Sequence, residues 1–248
     1  MVRERDGIHF DVDGRKIVAD SRSAAGDVNI VSHAHFDHLH DADSEVVCSE
    51  TTAALAEART GQEIKRSNEA EIDLVPSGHI IGSTAAVFGD EKKYVYTGDV
   101  SMRDRLYLDG FDPPEADVLV TESTYGVPAY RFPDQEVIES RIKDFIQDNR
   151  DRPLYLFGYS LGKAQKIQKI IEDVVERPVL VHGAVKKMND AVERATDLEF
   201  SAVSYGENKE RLEEENAVLV APSRSSQADW IDKNVRKFGG LKTGFSGW

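Results

Sequence analysis

One run of ten residues, 29–38 (NIVSHAHFDH), constrains this chain more than any other stretch. Its apolar start predicts the end of a strand, and the loop that follows holds three histidines and an aspartate within six residues. Side chains alternate along an extended chain, so His33 and His35 are expected to project to the same side and bind one cation together. Asp37 and His38 offer a carboxylate oxygen and an imidazole to a second cation. Imidazole and carboxylate without thiolate favour zinc first, then manganese or iron.

Two further predicted strand ends carry groups that would complete such a site. His79 lies in a glycine-flanked loop, 76–83, after an apolar strand, and Asp99 follows another strand at 93–97. Each is weak by itself, because a loop histidine is usually solvated and Gly-Asp is a common turn. Beside the 29–38 run they predict two adjacent sites, bridged by Asp99: one of His33, His35 and His79, the other of Asp37 and His38.

Composition sets the broad class. The chain has 248 residues, of which 40% are hydrophobic, and it contains no apolar run near the ~20 residues that span a membrane. The charged start MVRERD lacks the apolar segment of a signal peptide, so we expect a cytoplasmic protein without a membrane partner. Cys48 is the only cysteine and is expected to be a buried core residue.

Charge separates the two halves of the chain. The formal net charge is -14, which argues against a globally basic nucleic-acid binder. Residues 1–122 hold 12 basic and 25 acidic residues, net -13, whereas residues 123–248 hold 19 and 20, net -1. The second half therefore has room for local positive patches.

The pattern of apolar residues also differs between the halves. The first half reads as strands and turns, with a hairpin turn at Asp13-Gly14 and a helix over 51–59 that begins after Ser49 and stops at Gly61. The second half alternates helices and strands, which predicts a parallel sheet covered by helices. Helices are expected at 134–149, 163–175, 185–195 and 227–235, and strands at 154–157, 179–181, 218–220 and 241–245.

The start of the 163–175 helix is the best candidate for handling a nucleic-acid backbone. Ser160 or Gly162 would open the helix, whose free N–H groups and dipole favour a phosphate. Lys163, Lys166 and Lys169 are spaced by three and share one face. The alternative is an ordinary amphipathic helix with a solvated lysine face.

Other residues carry weaker signals for nucleic acid. The aromatic residues Tyr125, Tyr159 and Trp248 are candidates for stacking on bases, although aromatics near strand ends more often serve packing. The stretch SRSS at 223–226 is either a phosphate-binding turn or an exposed polar loop.

These motifs resemble a known family. HAHFDH at 33–38 resembles the HxHxDH signature of the metallo-β-lactamase superfamily, and His79 and Asp99 match its next two metal-binding motifs. TESTYG at 121–126 and YSLGKAQ at 159–165 resemble motif A and the helix start of the β-CASP nucleases. Further stretches resemble the branch of ligase-associated exonucleases and mRNA 3′-end processing factors: GVPAYRF at 126–132, VHGA at 181–184, VAPS at 220–223 and FSGW at 245–248.

The resemblance implies an α/β fold: a metallo-β-lactamase αββα sandwich, residues 1–122, with an inserted β-CASP βα domain, residues 123–248. It implies a nuclease in which a hydroxide that bridges two divalent ions, zinc or manganese, attacks a phosphodiester of single-stranded RNA or DNA. Asp37 and Glu122 would be the catalytic carboxylates, with Glu122 orienting a histidine rather than binding metal. Ser160, Gly162, Lys163 and Lys166 would bind substrate.

The family pattern also contains two later histidines that this sequence does not match. After the four predicted ligands, only His9, His40 and His182 remain, and none fits either motif. We therefore expect a sandwich that is incomplete at the C-terminus, and a homo-oligomer or second chain that completes the metal site. Two alternatives stay open: a non-catalytic nucleic-acid-binding or regulatory subunit with a partial metal site, and a small-molecule metallo-hydrolase of the same superfamily.

Overall fold

The structure is a computed structural model that describes residues 1–23, 25–39, 44–174 and 176–245. It is a mixed α/β protein with three sheets, and its chain divides into two compact units, Met1–Arg131 and Phe132–Trp248. Within those described ranges, no helix has the length and apolar character needed to cross a lipid bilayer.

The first unit contains two four-stranded sheets and one long helix. The first sheet has the order β1-β2-β3-β4, with β3 and β4 parallel and the other pairs antiparallel. The second has the order β5-β6-β7-β8, with only β7 and β8 parallel. In chain order the elements are β1 (Val2–Arg5), β2 (Gly7–Val12), β3 (Arg15–Ala19), β4 (Val28–Ile30), α1 (Glu50–Thr60), β5 (Ile72–Pro76), β6 (Thr84–Phe88), β7 (Tyr94–Tyr96) and β8 (Val118–Val120).

The predicted turn signals of this unit are confirmed. Asp13 and Gly14 connect β2 to β3 with φ of 49° and 77°, which is the tight hairpin turn that Asp-Gly favours. Helix α1 begins after Ser49, whose hydroxyl accepts a hydrogen bond from Thr52 N at 2.9 Å, and it ends at left-handed Gly61.

The two sheets of the first unit share one core. Residues of the first sheet such as Phe10 and Ile30 pack in the same buried cluster as Ala86 and Phe88 of the second. The rings of Phe10 and Phe88 meet edge to face with centroids 5.0 Å apart. Cys48 is buried, as expected, and burial raises the pKa of its thiol to about 11. This packing fixes the strand ends from which the functional loops leave.

The second unit is built on a five-stranded sheet in which every strand pair is parallel, as the helix and strand alternation predicts. The strand order is β11-β10-β12-β9-β13. In chain order the elements are α2 (Gln135–Asp148), β9 (Leu154–Gly158), α3 (Lys163–Glu172), β10 (Val179–Val181), α4 (Gly183–Ala195), β11 (Val203–Ser204), α5 (Arg211–Glu214), β12 (Val218–Pro222), α6 (Asp229–Phe238) and β13 (Leu241–Gly244).

Apolar side chains cover both faces of this parallel sheet. Leu154 and Leu156 of β9 pack in one cluster with Ile167 and Ile171 of α3. The alternate residue Tyr155 packs in a second cluster that includes Ile231 of α6. Burial on both faces explains why these strands read as continuous apolar runs.

Several boundaries differ from the prediction. Helix α3 ends at Glu172, and residue 175 lies outside the described ranges. Residues 223–227 form a 3-10 turn, so α6 begins at Asp229 rather than at 227. Strand β1 was not predicted, because its sequence VRER is charged and fully exposed and is extended by pairing with β2.

Candidate metal centre

Three loops at strand ends of the first unit bring the predicted ligands together. The 33–38 loop follows β4, the loop with His79 follows β5, and Asp99 follows β7. One ligand atom from each of His33, His35, His79 and Asp99 lies within 4.8 Å of all the others. These four side chains come from three separate segments, so it is the packing of the two sheets that creates the cluster.

The distances within this cluster match those of a metal site. His35 Nδ1 lies 3.0 Å from His33 Nε2 and 3.3 Å from His79 Nε2. Asp99 Oδ2 lies 3.4 Å from His79 Nε2 and 3.8 Å from His33 Nε2. Zinc–nitrogen bonds of about 2.0–2.1 Å in a tetrahedron hold neighbouring ligand atoms about 3.3 Å apart. The four atoms therefore fit a tetrahedral divalent cation.

A second set of candidate ligands centres on His38 Nε2. Asp99 Oδ1 is 3.6 Å from His38 Nε2, and Asp37 Oδ2 is 3.8 Å from the same nitrogen. The Asp37 side chain is 77% exposed, so this group opens to solvent. Asp99 thus presents one oxygen to each group, which is the geometry that a bridging carboxylate requires.

Asp20, at the end of β3, anchors both groups although the sequence analysis did not select it. Its Oδ2 accepts hydrogen bonds from His38 Nδ1 at 2.8 Å, from the Tyr96 hydroxyl at 2.7 Å and from Ser32 Oγ at 2.6 Å. Its Oδ1 accepts the Ser32 N–H at 2.8 Å. Asp20 lies within the same cluster as His33 and His38, but its oxygens are already occupied, so it orients ligands rather than adding one.

These hydrogen bonds fix which ring nitrogens face the cluster. The single hydroxyl proton of Ser32 goes to Asp20, so Ser32 Oγ accepts from His33 Nδ1 at 2.9 Å. A proton on Nδ1 leaves the Nε2 lone pair of His33 directed at the other ligands. The Nδ1 of His38 likewise donates to Asp20, so Nε2 is the nitrogen of His38 that faces Asp37 and Asp99.

The electrostatics of the cluster follow from burial and from crowding. Burial, and then the neighbouring histidines, hold the pKa of His33 well below its usual range, so its imidazole stays neutral. Burial lowers the pKa of His38, but its hydrogen bond to Asp20 and the nearby carboxylates outweigh burial and raise the pKa to about 9. Burial also raises the pKa of Asp99 to about 6. The site therefore joins the neutral imidazole of His33 to a carboxylate that is costly to ionise alone.

Further contacts hold the loops themselves. Arg105 is buried and donates hydrogen bonds to the carbonyls of Gly78 and, at 3.1 Å, His79. Ser77 Oγ donates to the carbonyl of Asp99 at 3.0 Å, which ties the β5 loop to the β7 loop. Gly98 has a φ of 55°, and a Cβ there would overlap Ser32 Oγ. The cluster is therefore fixed by main-chain contacts as well as by the ligands.

Glu122, predicted to be catalytic, lies just beyond β8. Its Oε1 accepts the N–H of Val100 at 3.1 Å, directly after Asp99, and its charge contributes to the raised pKa of Asp99. This hydrogen bond of Glu122 is thus to the main chain beside a candidate ligand rather than to a histidine.

The predicted substrate residues lie in the second unit, at the start of α3. Lys163 and Lys166 are half-buried on one face of the helix, and Lys169 is paired with Glu172 at 2.7 Å. The N–H of Gly162 donates to Gln165 Oε1 at 2.7 Å, so it is already satisfied and is not the free phosphate donor that the sequence suggested. Ser160 is half-buried, and its carbonyl accepts from Gln165 Nε2 at 3.1 Å.

The other aromatic and histidine residues noted in the sequence differ in their exposure and contacts. Tyr159 is 65% exposed, whereas Tyr125 meets Tyr130 edge to face at 5.1 Å. His182 Nδ1 accepts the Ala184 N–H and caps α4, and His9 contacts the Asp6 carbonyl. Trp248 and His40 lie outside the described residues.

Asp20, Ser32 and Tyr96 are the site residues that sequence reasoning missed. A signal for Asp20 was present, since it is the last residue of a strand predicted at 16–20, and Asp99 likewise comes at the end of a strand. Nothing local marks Ser32 or Tyr96, because their roles depend on contacts with Asp20, 12 and 76 residues away along the chain.

Comparisons with known proteins give the class of this site. No family model matches the chain. A protein named "Probable DNA ligase" from Opitutus terrae is 33% identical over 181 residues, which are 67% of this chain and 18% of that protein. An "RNase J-like protein" from Methanocaldococcus jannaschii is 28% identical over 188 residues, 61% of this chain and 44% of that protein. "Cleavage and polyadenylation specificity factor subunit 3" from Dictyostelium discoideum is 31% identical over 123 residues, 46% of this chain and 15% of that protein.

The fold and the site define a mixed α/β protein with a histidine and aspartate centre at its strand ends. The relatives confirm the resemblance seen in the motifs, and the chain is a relative of the β-CASP nucleases of the metallo-β-lactamase superfamily. The chain spans less than half the length of each of these three relatives.

Proposed function

We propose that the chain is a metal-dependent nuclease that hydrolyses phosphodiester bonds of RNA or DNA. The observation that carries this proposal is the Asp99 carboxylate, whose Oδ2 lies 3.4–3.8 Å from the ring nitrogens of His79 and His33 and whose Oδ1 lies 3.6 Å from His38 Nε2. Two divalent cations held side by side in this way lower the pKa of water and neutralise charge on a phosphodiester. The names of the relatives, which include nucleases, support the same reaction class.

Each residue of the centre has a distinct part in this proposal. His33, His35, His79 and Asp99 would hold one cation, and Asp37, His38 and Asp99 the other. The donor set favours zinc, with manganese as the alternative. Asp37 is the exposed carboxylate of the centre and faces the side open to substrate. Glu122 would act indirectly, by fixing the main chain that follows Asp99.

The proposed architecture is that of the family. The two packed sheets and α1 of the first unit support an αββα metallo-β-lactamase sandwich, for which we propose residues 1–122. The parallel sheet of the second unit supports a β-CASP insertion, for which we propose residues 123–248. Within that insertion, Ser160, Lys163 and Lys166 are proposed to contact the backbone of single-stranded RNA or DNA.

The first test measures metal and cleavage together. We expect about two zinc ions per chain by elemental mass spectrometry, and zinc- or manganese-dependent cleavage of end-labelled single-stranded RNA or DNA. The variant His35→Ala should lose cleavage and at least one metal, because His35 Nδ1 is central to the three-histidine group. His9→Ala is the matched control, since His9 lies in the same unit on β2 and contacts only a main-chain carbonyl.

A second function is favoured by the difference between the two ligand groups. The second group has only three protein ligands among the described residues, and one of them, Asp37, is mostly exposed. We infer that a further group, from a second copy of the chain or another protein, completes this position when the enzyme is active. Without it, the chain would act as a nucleic-acid-binding subunit with one metal.

The same experiment separates these functions. One metal per chain, oligonucleotide binding and no cleavage would favour the binding subunit. Cleavage of a small phosphodiester but of neither polynucleotide would contradict both and point to a small-molecule hydrolase. Measuring mass by light scattering during the assay tests whether active material is oligomeric.

A further inference from the structure

Phe36 stands out within the 33–38 loop. It lies between His35 and Asp37, and its side chain is 60% exposed. The other apolar residues of this segment are buried, with Ala34 at 0% and Leu39 at 7% exposure. A large aromatic ring therefore points to solvent from the loop that carries most of the candidate metal ligands.

Arg59, in the last turn of α1, covers one face of this ring. The guanidinium carbon lies 4.2 Å from the centroid of the Phe36 ring, which is cation–π geometry. The Nε and Nη1 atoms of Arg59 are buried and have no hydrogen-bond partner among the residues that the structure describes. Burial lowers the pKa of Arg59, and the charge of Asp37 opposes that shift. Arg59 thus gives up hydration to sit against Phe36, near the carboxylate that follows it.

This arrangement fixes the ring and leaves it exposed. An isolated exposed aromatic residue needs no explanation by itself. Here, however, a partly desolvated cation packs against one face of the ring, although desolvating a guanidinium costs free energy, and this contact fixes the position of the ring. Phe36 directly precedes Asp37 and is two residues from His38. Consecutive Cα atoms are about 3.8 Å apart, so the ring is attached close to these two candidate ligands.

We propose that Phe36 is a base-stacking subsite, at which a nucleobase of the substrate stacks on the exposed ring while Arg59 braces the ring from behind. The proposal rests on the proposed nuclease function and adds a specific contact to it. Every base has a π face, so such a subsite holds a polynucleotide beside the metal centre whatever its sequence. The positive charge behind the ring also favours a polyanion in a unit that is otherwise strongly acidic.

Equilibrium binding tests this subsite without relying on turnover. The probe is a fluorescein-labelled single-stranded oligonucleotide with cleavage-resistant phosphorothioate linkages, followed by fluorescence anisotropy with zinc-loaded protein. A parallel set of probes carries one abasic nucleotide at successive positions. Phe36→Leu keeps an apolar side chain but removes the aromatic face, and Phe36→Tyr keeps that face.

We expect Phe36→Leu to weaken binding by roughly 5- to 150-fold, the range measured for one base stacked on an aromatic side chain. Phe36→Tyr should bind like the unchanged protein. One abasic position should weaken binding to the unchanged protein by a similar factor, but should have little further effect on Phe36→Leu. Leu119→Ala, which alters an equally exposed apolar residue on β8, is the matched control and should bind normally.

Two results would overturn the subsite. The first is binding by Phe36→Leu that is as tight as that of the unchanged protein, and the second is weaker binding that keeps full sensitivity to the abasic position. Failure of the nuclease function looks different, because the unchanged protein would then cleave neither RNA nor DNA, whatever Phe36→Leu does to binding. Circular dichroism melting of each variant checks that an altered fold does not cause the loss.

Discussion

Each unit buries a cluster of polar side chains, and the two clusters differ in whether their members can satisfy one another. In the second unit, Asn189 Oδ1 accepts from Gln165 Nε2 at 2.8 Å and from Gln168 Nε2 at 3.2 Å, while Asn189 Nδ2 donates to Gln168 Oε1 at 2.7 Å. In the first unit, three imidazole nitrogens and a carboxylate oxygen converge on one point. The amide cluster of the second unit is therefore closed, whereas the histidine cluster of the first unit is open.

The difference lies in how donors and acceptors are matched. An amide carries both donors and acceptors, so three amides can complete a network that holds a fold together. The nitrogen that His33 directs at the metal centre is an acceptor, because the ring proton goes to Ser32, and it faces a carboxylate oxygen of Asp99 at 3.8 Å. Acceptors that face one another need a cation between them. We therefore expect a substitution in the amide network to lower the free energy of unfolding, and a substitution in the histidine cluster to lower metal binding.

The largest effect on stability is expected for Asn189→Ala. This change leaves Gln168 Oε1 and a donor of Gln165 without their buried partners, and each such loss costs about 1–3 kcal/mol. We expect the free energy of unfolding to fall by about 2–5 kcal/mol in urea denaturation, with zinc content unchanged. Asn234→Ala removes one hydrogen bond from a partly exposed asparagine and is the control, with a smaller loss. A loss of zinc in Asn189→Ala would break the distinction between the clusters.

The pH dependence of the metal-free protein is the next effect in size. His38 has a pKa of about 9 in the fold and an ordinary value of 6.5, so the folded state binds its proton more tightly than the unfolded state. The stabilisation is complete below pH 6.5 and is lost as the pH rises to about 9, which amounts to about 3 kcal/mol. Thermal melting in a chelator should therefore show Tm falling between pH 6.5 and 9. A flat profile would mean that Asp20 and His38 do not form the ion pair.

The ligand loops of the open cluster and the parallel sheet of the second unit could be predicted from the sequence, because their signals lie in short local stretches. The 33–38 loop, His79 and Asp99 each follow an apolar strand, and the alternation of helices and strands predicts the parallel sheet. The features that were not predicted depend on particular side-chain contacts, which the pattern of apolar residues does not show. Asp20 matters because Ser32, His38 and Tyr96 converge on it, and the Gly162 N–H is unavailable because the Gln165 side chain reaches it.

The substitution Asp20→Asn tests the role of a site residue that was not predicted from the sequence. Asparagine tolerates the left-handed backbone at this position, where φ is 49°, so the fold should be kept. The neutral amide is a weaker acceptor for His38 and Ser32, and zinc affinity should fall about 10- to 100-fold in competition with a chelating dye. Asp27→Asn is the control, because Asp27 is exposed and accepts only the Lys16 N–H. Unchanged affinity in Asp20→Asn would show that the ligands are held without it.

The smallest effect is expected for Ser49, which contacts both the start of α1 and the loop that carries His79. Its hydroxyl accepts the Thr52 N–H at the start of α1 and also donates to the Gly82 carbonyl at 2.6 Å, in the loop that carries His79. Ser49→Ala should cost about 1 kcal/mol of unfolding free energy, as for other lost helix caps. Thr52 Oγ1 also donates to the Gly82 carbonyl, at 2.7 Å, so the loop keeps a second tie and zinc affinity should hold within about threefold. A larger loss of zinc, measured with the same dye, would mean that the His79 loop depends on α1, and that the open cluster relies on the surrounding fold as strongly as the closed one does.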